Sequence, residues 1–196
     1  GTAAMETFVA RALKKVRKDS ARKDKELRDA CDETFARIDA RMKAGGAEDN
    51  DADKYFRPLQ LACQNKNPKV KATALDTLQK LIAYGYLRGE TVIEADAGGQ
   101  PLRHLIDLVV ETICNCKDDS HENVQLQVIK ALLTATTSNT CAVHDTSLLL
   151  AVRACYHIYL VSRNMVNRTT AKATLTQMLN VVFQRMEQHE VRRKAA

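Results

Sequence analysis

Residues 54–87 read Lys-Tyr-Phe-Arg-Pro-Leu-Gln-Leu-Ala-Cys-Gln-Asn-Lys-Asn-Pro-Lys-Val-Lys-Ala-Thr-Ala-Leu-Asp-Thr-Leu-Gln-Lys-Leu-Ile-Ala-Tyr-Gly-Tyr-Leu. This is two helices with punctuation. Asn67 is a strong N-cap, and Pro68 suits the first helical position, where its missing N–H is no loss. From there Val70, Ala74, Leu78, Leu81 and Ile82 recur at helical spacing, and Gly85 is suited to the left-handed conformation that ends a helix. The first helix therefore stops near Asn65. Neither helix hides its apolar face alone, so the pair has to stack on further pairs, as in a helical solenoid.

The rest of the chain keeps this rhythm. Phe8, Val9, Ala12, Leu13 and Val16 form one apolar face, with Arg11, Lys14, Lys15, Arg17 and Lys18 around it. Two readings stand for this helix: a membrane-surface or acidic-partner element, or a terminal cap of the solenoid with a solvated outer face. Leu27, Cys31, Phe35, Ile38 and Met42 predict a second helix from Ser20 to Ala44, ended by Gly45 and Gly46. Glu48, Asp49, Asn50, Asp51 and Asp53 then read as a solvated acidic loop, since an EF-hand's central Gly and terminal Glu are missing.

Arg88 to Gln100 reads as a loop, with Pro101 starting a helix that carries Leu102, Leu105, Ile106, Val109 and Ile113. Asp119 and Glu122 fit a capping box for the next helix. A helix over 146–162 is apolar on several sides, as expected of a central element. The last helix, over 168–188, places Ala171, Leu175, Met178, Leu179, Val182 and Met186 on one face. The expectation is an all-α, armadillo- or HEAT-like stacked array of six to nine helices, right-handed and in a single domain, with a closed bundle as the alternative. Residues 1–4 resemble an expression scar, 5–188 form the helical domain, and 189–196 form a basic tail.

The chain has 196 residues and a net charge of +6. Residues 1–28 hold nine Lys or Arg against four Asp or Glu, and Arg192, Arg193 and Lys194 add three positive charges, so the body between is left at −2. That distribution argues against a nucleic-acid-binding repeat, which needs a basic stripe along the fold. No apolar run of about 18 residues and no signal peptide is visible, which predicts a cytoplasmic protein. The six cysteines lack CxxC spacing and read as reduced, buried thiols, with no metal and no cofactor expected.

Catalytic patterns are equally scarce. No GxSxG, GxGxxG or P-loop occurs, and the five histidines are scattered without HExxH. Asn167-Arg168-Thr169 is a glycosylation sequon placed where a helix needs a cap. What remains is surface. Thr73, Asp76, Lys80 and Tyr84 share the face of their helix opposite its core stripe, followed by Tyr86 and an exposed Leu87. This composition suits a binding patch, or else Tyr84 packs on a neighbouring helix pair.

Asp53-Lys54-Tyr55-Phe56, Leu61-Ala62-Cys63-Gln64 and Leu78-Gln79-Lys80-Leu81-Ile82-Ala83-Tyr84-Gly85 resemble the start of BIG-type, brefeldin-A-inhibited guanine-nucleotide exchange factors for Arf GTPases. Val124 to Thr134 and Thr169 to Asn180 resemble the same family, in the same order. The match runs from Met5 to about Glu187. Departures are local: Tyr86 stands where the family often has His, Leu59 where it often has Phe, and 45–52 and 89–100 do not align. The resemblance implies the dimerisation and cyclophilin-binding domain of such a factor, an armadillo-like and non-catalytic module, with nucleotide exchange residing in a separate domain. It further implies self-association, contact with an adjacent regulatory region, cyclophilin as a partner, and recruitment to the trans-Golgi by a GTP-bound Arf-like GTPase. Membrane contact is then mainly indirect. Surface reasoning centres the expected GTPase site on Lys80, Tyr84, Tyr86 and Leu87, extended by Tyr55 and Arg57.

Overall fold

The structure is a computed structural model that describes residues 2–44, 51–143 and 145–195. Eight helices appear there: α1 (Thr2–Asp19), α2 (Lys25–Lys43), α3 (Phe56–Cys63), α4 (Pro68–Ala83), α5 (Leu105–Cys114), α6 (Glu122–Thr137), α7 (Asp145–Val161) and α8 (Met165–Ala195). A short 3₁₀ turn over Asp53–Tyr55 leads into α3. Residues 189–195 continue α8. The expected helix ending at Gly45 and Gly46, and the expected acidic loop at Glu48, Asp49 and Asn50, lie outside the described residues.

The helices pack in two layers. α1, α4, α6 and α8 follow one another in one layer, and α2, α3, α5 and α7 in the other. Sequential helices form the rungs, α1 on α2, α3 on α4, α5 on α6 and α7 on α8. This is the stacked helical array that the pairwise rhythm predicts. One contiguous apolar core runs through it from Met5 to Met178.

α4 shows why this sequence folds this way. Asn67 caps it by accepting the Lys69 amide at 3.0 Å, and its own side-chain amide donates to the Asp19 carbonyl at 2.9 Å, tying the α4 start to the α1 end. Flanked by α1 and α6 and backed by α3, α4 buries Val70, Ala72, Ala74, Leu75, Leu78, Leu81 and Ile82. Full burial of each large aliphatic chain contributes roughly 1.5–3 kcal/mol.

Several local expectations are corrected. β1 (Val92–Ala95) and β2 (Pro101–His104) form an antiparallel hairpin where a loop and a helix start were expected. Pro101 therefore begins a strand, and α5 starts at Leu105. Asp96 holds the hairpin turn by accepting the amides of Gly98 and Gln100, each at 2.8 Å. His121 is the N-cap of α6. Asp119 lies two residues before it, accepting the His121 amide at 2.9 Å and pairing with Lys71 at 2.7 Å. Asn167 caps nothing: it lies inside α8, buried, and donates to the Glu122 carbonyl at 2.8 Å. The α8 start is held by Asn164, whose side-chain oxygen accepts the Asn167 amide at 2.9 Å. α7 is not central, because it belongs to the last pair and leaves Leu149, Tyr156 and Leu160 exposed.

Candidate functional site

The end of α4 is built by a chain reversal. The Tyr86 amide donates to the Leu81 carbonyl at 2.9 Å and the Gly85 amide to Ile82 at 3.0 Å, the paired bonds of a Schellman motif. Gly85 takes φ of +69°, which an L side chain rarely adopts. The reversal leaves Tyr84 outside, 64% exposed, and turns Leu87 inward to full burial. Leu87 is thus a core residue and offers nothing to a partner.

On the outer face of α4, Lys80 pairs with Asp76 at 2.7 Å across one helical turn. Thr73 turns its hydroxyl back to the Lys69 carbonyl at 2.9 Å. The Tyr84 and Tyr86 rings lie 6.0 Å apart and tilted by 53°, an edge-biased aromatic pair. Tyr86 is half-buried against the core, which fixes it and gives Tyr84 a firm backing. Tyr84 therefore does not pack between helix pairs.

Tyr55 and Arg57 do not join this patch. Tyr55 is fully buried, and its hydroxyl donates to Glu6 Oε1 at 2.7 Å. Burial, and then that bond, push its phenol well above the ordinary tyrosine range. Arg41 approaches the same Glu6 oxygen at 2.9 Å, and the Arg37 guanidinium lies 5.6 Å from the Tyr55 ring centre. Tyr55 is accordingly a structural post between α1, α2 and α3. Arg57 is exposed but turns to α2, pairing with Glu26 at 2.5 Å.

Sequence reasoning missed the surroundings of the turn. Asp53, buried, accepts the amides of Arg88 and Gly89 at 3.1 and 3.0 Å and fixes the chain that leaves the tyrosines. A Cβ on Gly89 would meet Ile106 at 2.5 Å, so only glycine fits there. Arg88 stays exposed beside the Gly85 carbonyl and adds a cation to the patch. Thr140 stands against Gly85 and also lines a groove of about 1000 Å³ between α7 and α8. Leu148, Leu149, Val152, Leu179 and Met186 give that groove an apolar floor. Arg185 crosses it to the Thr136 carbonyl at 3.1 Å and to the Val143 carbonyl. The loop at 138–142 carried no pattern that would have revealed this.

The other polar groups serve the fold. All six cysteines are free and buried. Burial pushes the Cys114 and Cys155 thiols up to about 12 and Cys31 to about 11, which leaves little thiolate at neutral pH. Cys116, just beyond the end of α5, donates its thiol to the Cys63 carbonyl at 3.4 Å. His104 stands at the N-cap of α5, and His157 pairs with Asp118 at 2.7 Å. Among the described residues no group of three His, Cys, Asp or Glu is placed to hold a metal, and no helix is long and apolar enough to cross a membrane.

The two-layer helical array thus presents an aromatic turn and an apolar groove as its distinctive surfaces. The model of the Mon2/Sec7/BIG1-like dimerisation and cyclophilin-binding domain matches residues 2–190, and the chain belongs to that family. It is 47% identical, over 92% of its length, to human brefeldin A-inhibited guanine nucleotide-exchange protein 1, of which it covers 11%. It is 44% identical over 70% of its length to brefeldin A-inhibited guanine nucleotide-exchange protein 2 of Arabidopsis thaliana, covering 7% of that protein. It is 37% identical over 67% of its length to the ADP-ribosylation factor guanine nucleotide-exchange factor sec71 of Schizosaccharomyces pombe, again covering 7%. The chain thus spans about a tenth or less of the length of these relatives.

Proposed function

We propose that this chain is a non-catalytic recruitment domain of a large Arf exchange factor, and that it binds a GTP-loaded Arf-like GTPase at the trans-Golgi. The observation that carries this reading is the α4 terminus, where Tyr84 is exposed, backed by Tyr86 and flanked by Lys80 and Arg88. GTPase switch regions present an apolar surface that is ordered only with the γ-phosphate in place. An aromatic anchor with cations at its rim suits such a surface. With Leu87 and Tyr55 buried and Arg57 engaged by α2, the site reduces to Lys80, Tyr84, Tyr86 and Arg88.

Truncating a central Tyr anchor costs about 2 kcal/mol, about thirtyfold in affinity, and a rim Lys costs less. Calorimetry against the GTP- and GDP-loaded GTPase tests this. GTP-selective binding that falls with Tyr84→Ala is expected. A folded Tyr84→Ala variant that binds like the parent overturns it. The same fragment is expected to leave the spontaneous exchange rate of the GTPase unchanged.

Self-association is assigned to a different face. The last helix pair exposes Leu149, Leu179 and Met186 at the apolar groove and Tyr156, Leu160 and Phe183 elsewhere on its surface, more than solvated helices ordinarily show. A second copy is the occupant that the family's description as a dimerisation domain favours. The same description favours cyclophilin as a further partner. Sedimentation velocity across a concentration series is expected to show a reversible dimer that Phe183→Glu abolishes; an unchanged dimer in that variant overturns the assignment.

A further inference from the structure

The outer face of α1 carries four cations at positions 11, 14, 15 and 18, the i, i+3, i+4, i+7 spacing of a single helical stripe. Met5, Val9, Leu13 and Val16, on the opposite side, are fully buried against the array. Arg11, Lys14, Lys15 and Lys18 are all exposed, and among the described residues none has a hydrogen-bond or ion-pair partner. Arg17, by contrast, is the one α1 cation that is spent internally, gripping Asp32 with two bonds of 2.6 and 2.9 Å. Beyond the helix end Arg22, Lys23 and Lys25 are exposed as well. Asp19 and Asp24 are the acidic residues in this stretch, and Asp24 is occupied by the Asn65 side chain and the Ala21 amide.

From this geometry we infer that the α1 stripe and the following turn form an electrostatic docking surface for an anionic lipid bilayer. The stripe is a row about 10 Å long of long, flexible cationic chains with no exposed large apolar side chain on α1 or in the turn. A protein partner is recognised through buried aromatic and aliphatic anchors, and single-stranded nucleic acid through aromatic stacking; the stripe itself has neither, and Phe8, which lines the depression beside Arg11 and Lys15, is half-buried and packed against the core. An anionic lipid surface asks only for clustered charge. Because the apolar face of α1 is consumed by the core, the helix does not insert. Its contact is superficial, additive in charge and sensitive to salt. Arg11 and Lys15 share a depression with Thr73 and Asp76 of α4, so the stripe adjoins the face that ends in Tyr84. The stripe's binding does not depend on a partner at α4.

Co-sedimentation of the 196-residue chain with phosphatidylcholine vesicles, with and without about one-fifth phosphatidylserine, tests the proposal at about 0.1 M and about 0.5 M salt. Binding is expected only with the anionic lipid and only at the lower salt. Each neutralised cation is expected to weaken it about fivefold, so Lys14→Gln with Lys18→Gln lowers partitioning more than tenfold, and reversal of all four to Glu abolishes it. Reversing Arg168 and Lys172 on α8 serves as the control and is expected to change little. Circular dichroism checks the fold of each variant, and the double Gln variant keeps the test informative if the fourfold reversal unfolds. The proposal is overturned if the parent ignores anionic vesicles, binds neutral ones equally, keeps its affinity in the double variant, or loses as much in the α8 control. Tighter binding to a single-stranded oligonucleotide than to the vesicles overturns it in favour of a nucleic-acid surface.

Discussion

The first and last helix pairs are both ends of one array, yet they finish it in opposite ways. The α1/α2 end spends its apolar side chains inward and closes with polar bonds: Arg17 to Asp32, Arg28 to the Arg17 carbonyl at 2.9 Å, and Glu6 shared by Tyr55 and Arg41. Its outer face is charged. The α7/α8 end is anchored inward by Asn167 and by Ser162, which donates to Gln125 at 2.7 Å, and then shows Leu160, Leu179 and Phe183 to solvent. α8 has 31 residues against 16 in α6, its layer neighbour, so its apolar stripe outruns the helix it packs on. A solenoid needs a polar outer face on its terminal unit. Only the first pair supplies one, and the proposed charge recognition at one end and apolar association at the other rest on that contrast.

The largest expected effect tests how the first end is closed. Glu6→Ala strips the buried Tyr55 hydroxyl of its acceptor and Arg41 of an ion-pair partner, and breaking a buried charged network costs about 3 kcal/mol or more. Thermal denaturation is expected to show a fall in Tm of roughly 6–12 °C. Phe183→Glu, on the exposed surface of the other end, is expected to leave Tm almost unchanged while removing self-association. Equal destabilisation by the two variants would erase the contrast between the ends.

Next in size are the two asparagines that anchor the ends. Asn167→Ala leaves the Glu122 carbonyl and the Gln125 side chain short of a donor, and chemical denaturation is expected to register a loss of about 2 kcal/mol. Asn67→Ala removes the α4 cap and the link to Asp19 for about 1 kcal/mol.

Two carboxylates give pH effects of opposite sign. Burial holds the Asp53 carboxyl above the ordinary carboxylate value of 3.8, against hydrogen bonds from the Gly89 and Arg88 amides. Its contribution is therefore full below that value and is lost as pH rises through the native one. Asp119 is also desolvated, but Lys71 and the His121 amide outweigh burial and hold it below 3.8. Its contribution is present above 3.8 and is lost as pH falls through the native value. Asp53→Asn is expected to gain stability relative to the parent as pH rises above 3.8 through the raised native value, whereas Asp119→Asn loses most at neutral pH. Urea titrations at several pH values check both signs. The smallest effect is Lys80→Ala, which removes a half-exposed ion pair worth under about 0.5 kcal/mol to the fold, so any loss it causes in GTPase binding reports the interface.

The fold was legible wherever a helix is amphipathic with clear punctuation, as α4 is between Pro68 and Gly85. Local signals failed where a distant residue decides. Tyr55, beside Lys54 and Arg57, looks like a surface aromatic until Glu6, 49 residues earlier, takes its hydroxyl into the core. Leu87 looked exposed because it follows a turn, but a Schellman reversal sends the chain back inside. The hairpin escaped notice because β1 is exposed along its length and has no alternation to read. α7 is apolar on several sides, which suggests a central position, yet the structure meets that pattern by leaving one side open. Of the candidate site, Lys80 and Tyr84 were readable from helical spacing, while Arg88 and the 138–142 loop depend on the turn geometry.

On the proposed reading, the GTPase docks at the α4 terminus. Hydrogen–deuterium exchange of the chain alone and with GTP-loaded Arf-like GTPase tests it most directly. Protection is expected to concentrate in residues 79–90, with α2 unchanged and no protection from the GDP-loaded form. Protection confined to α2 or to the exposed side of α7 and α8, with 79–90 exchanging as in the free chain, would contradict the account.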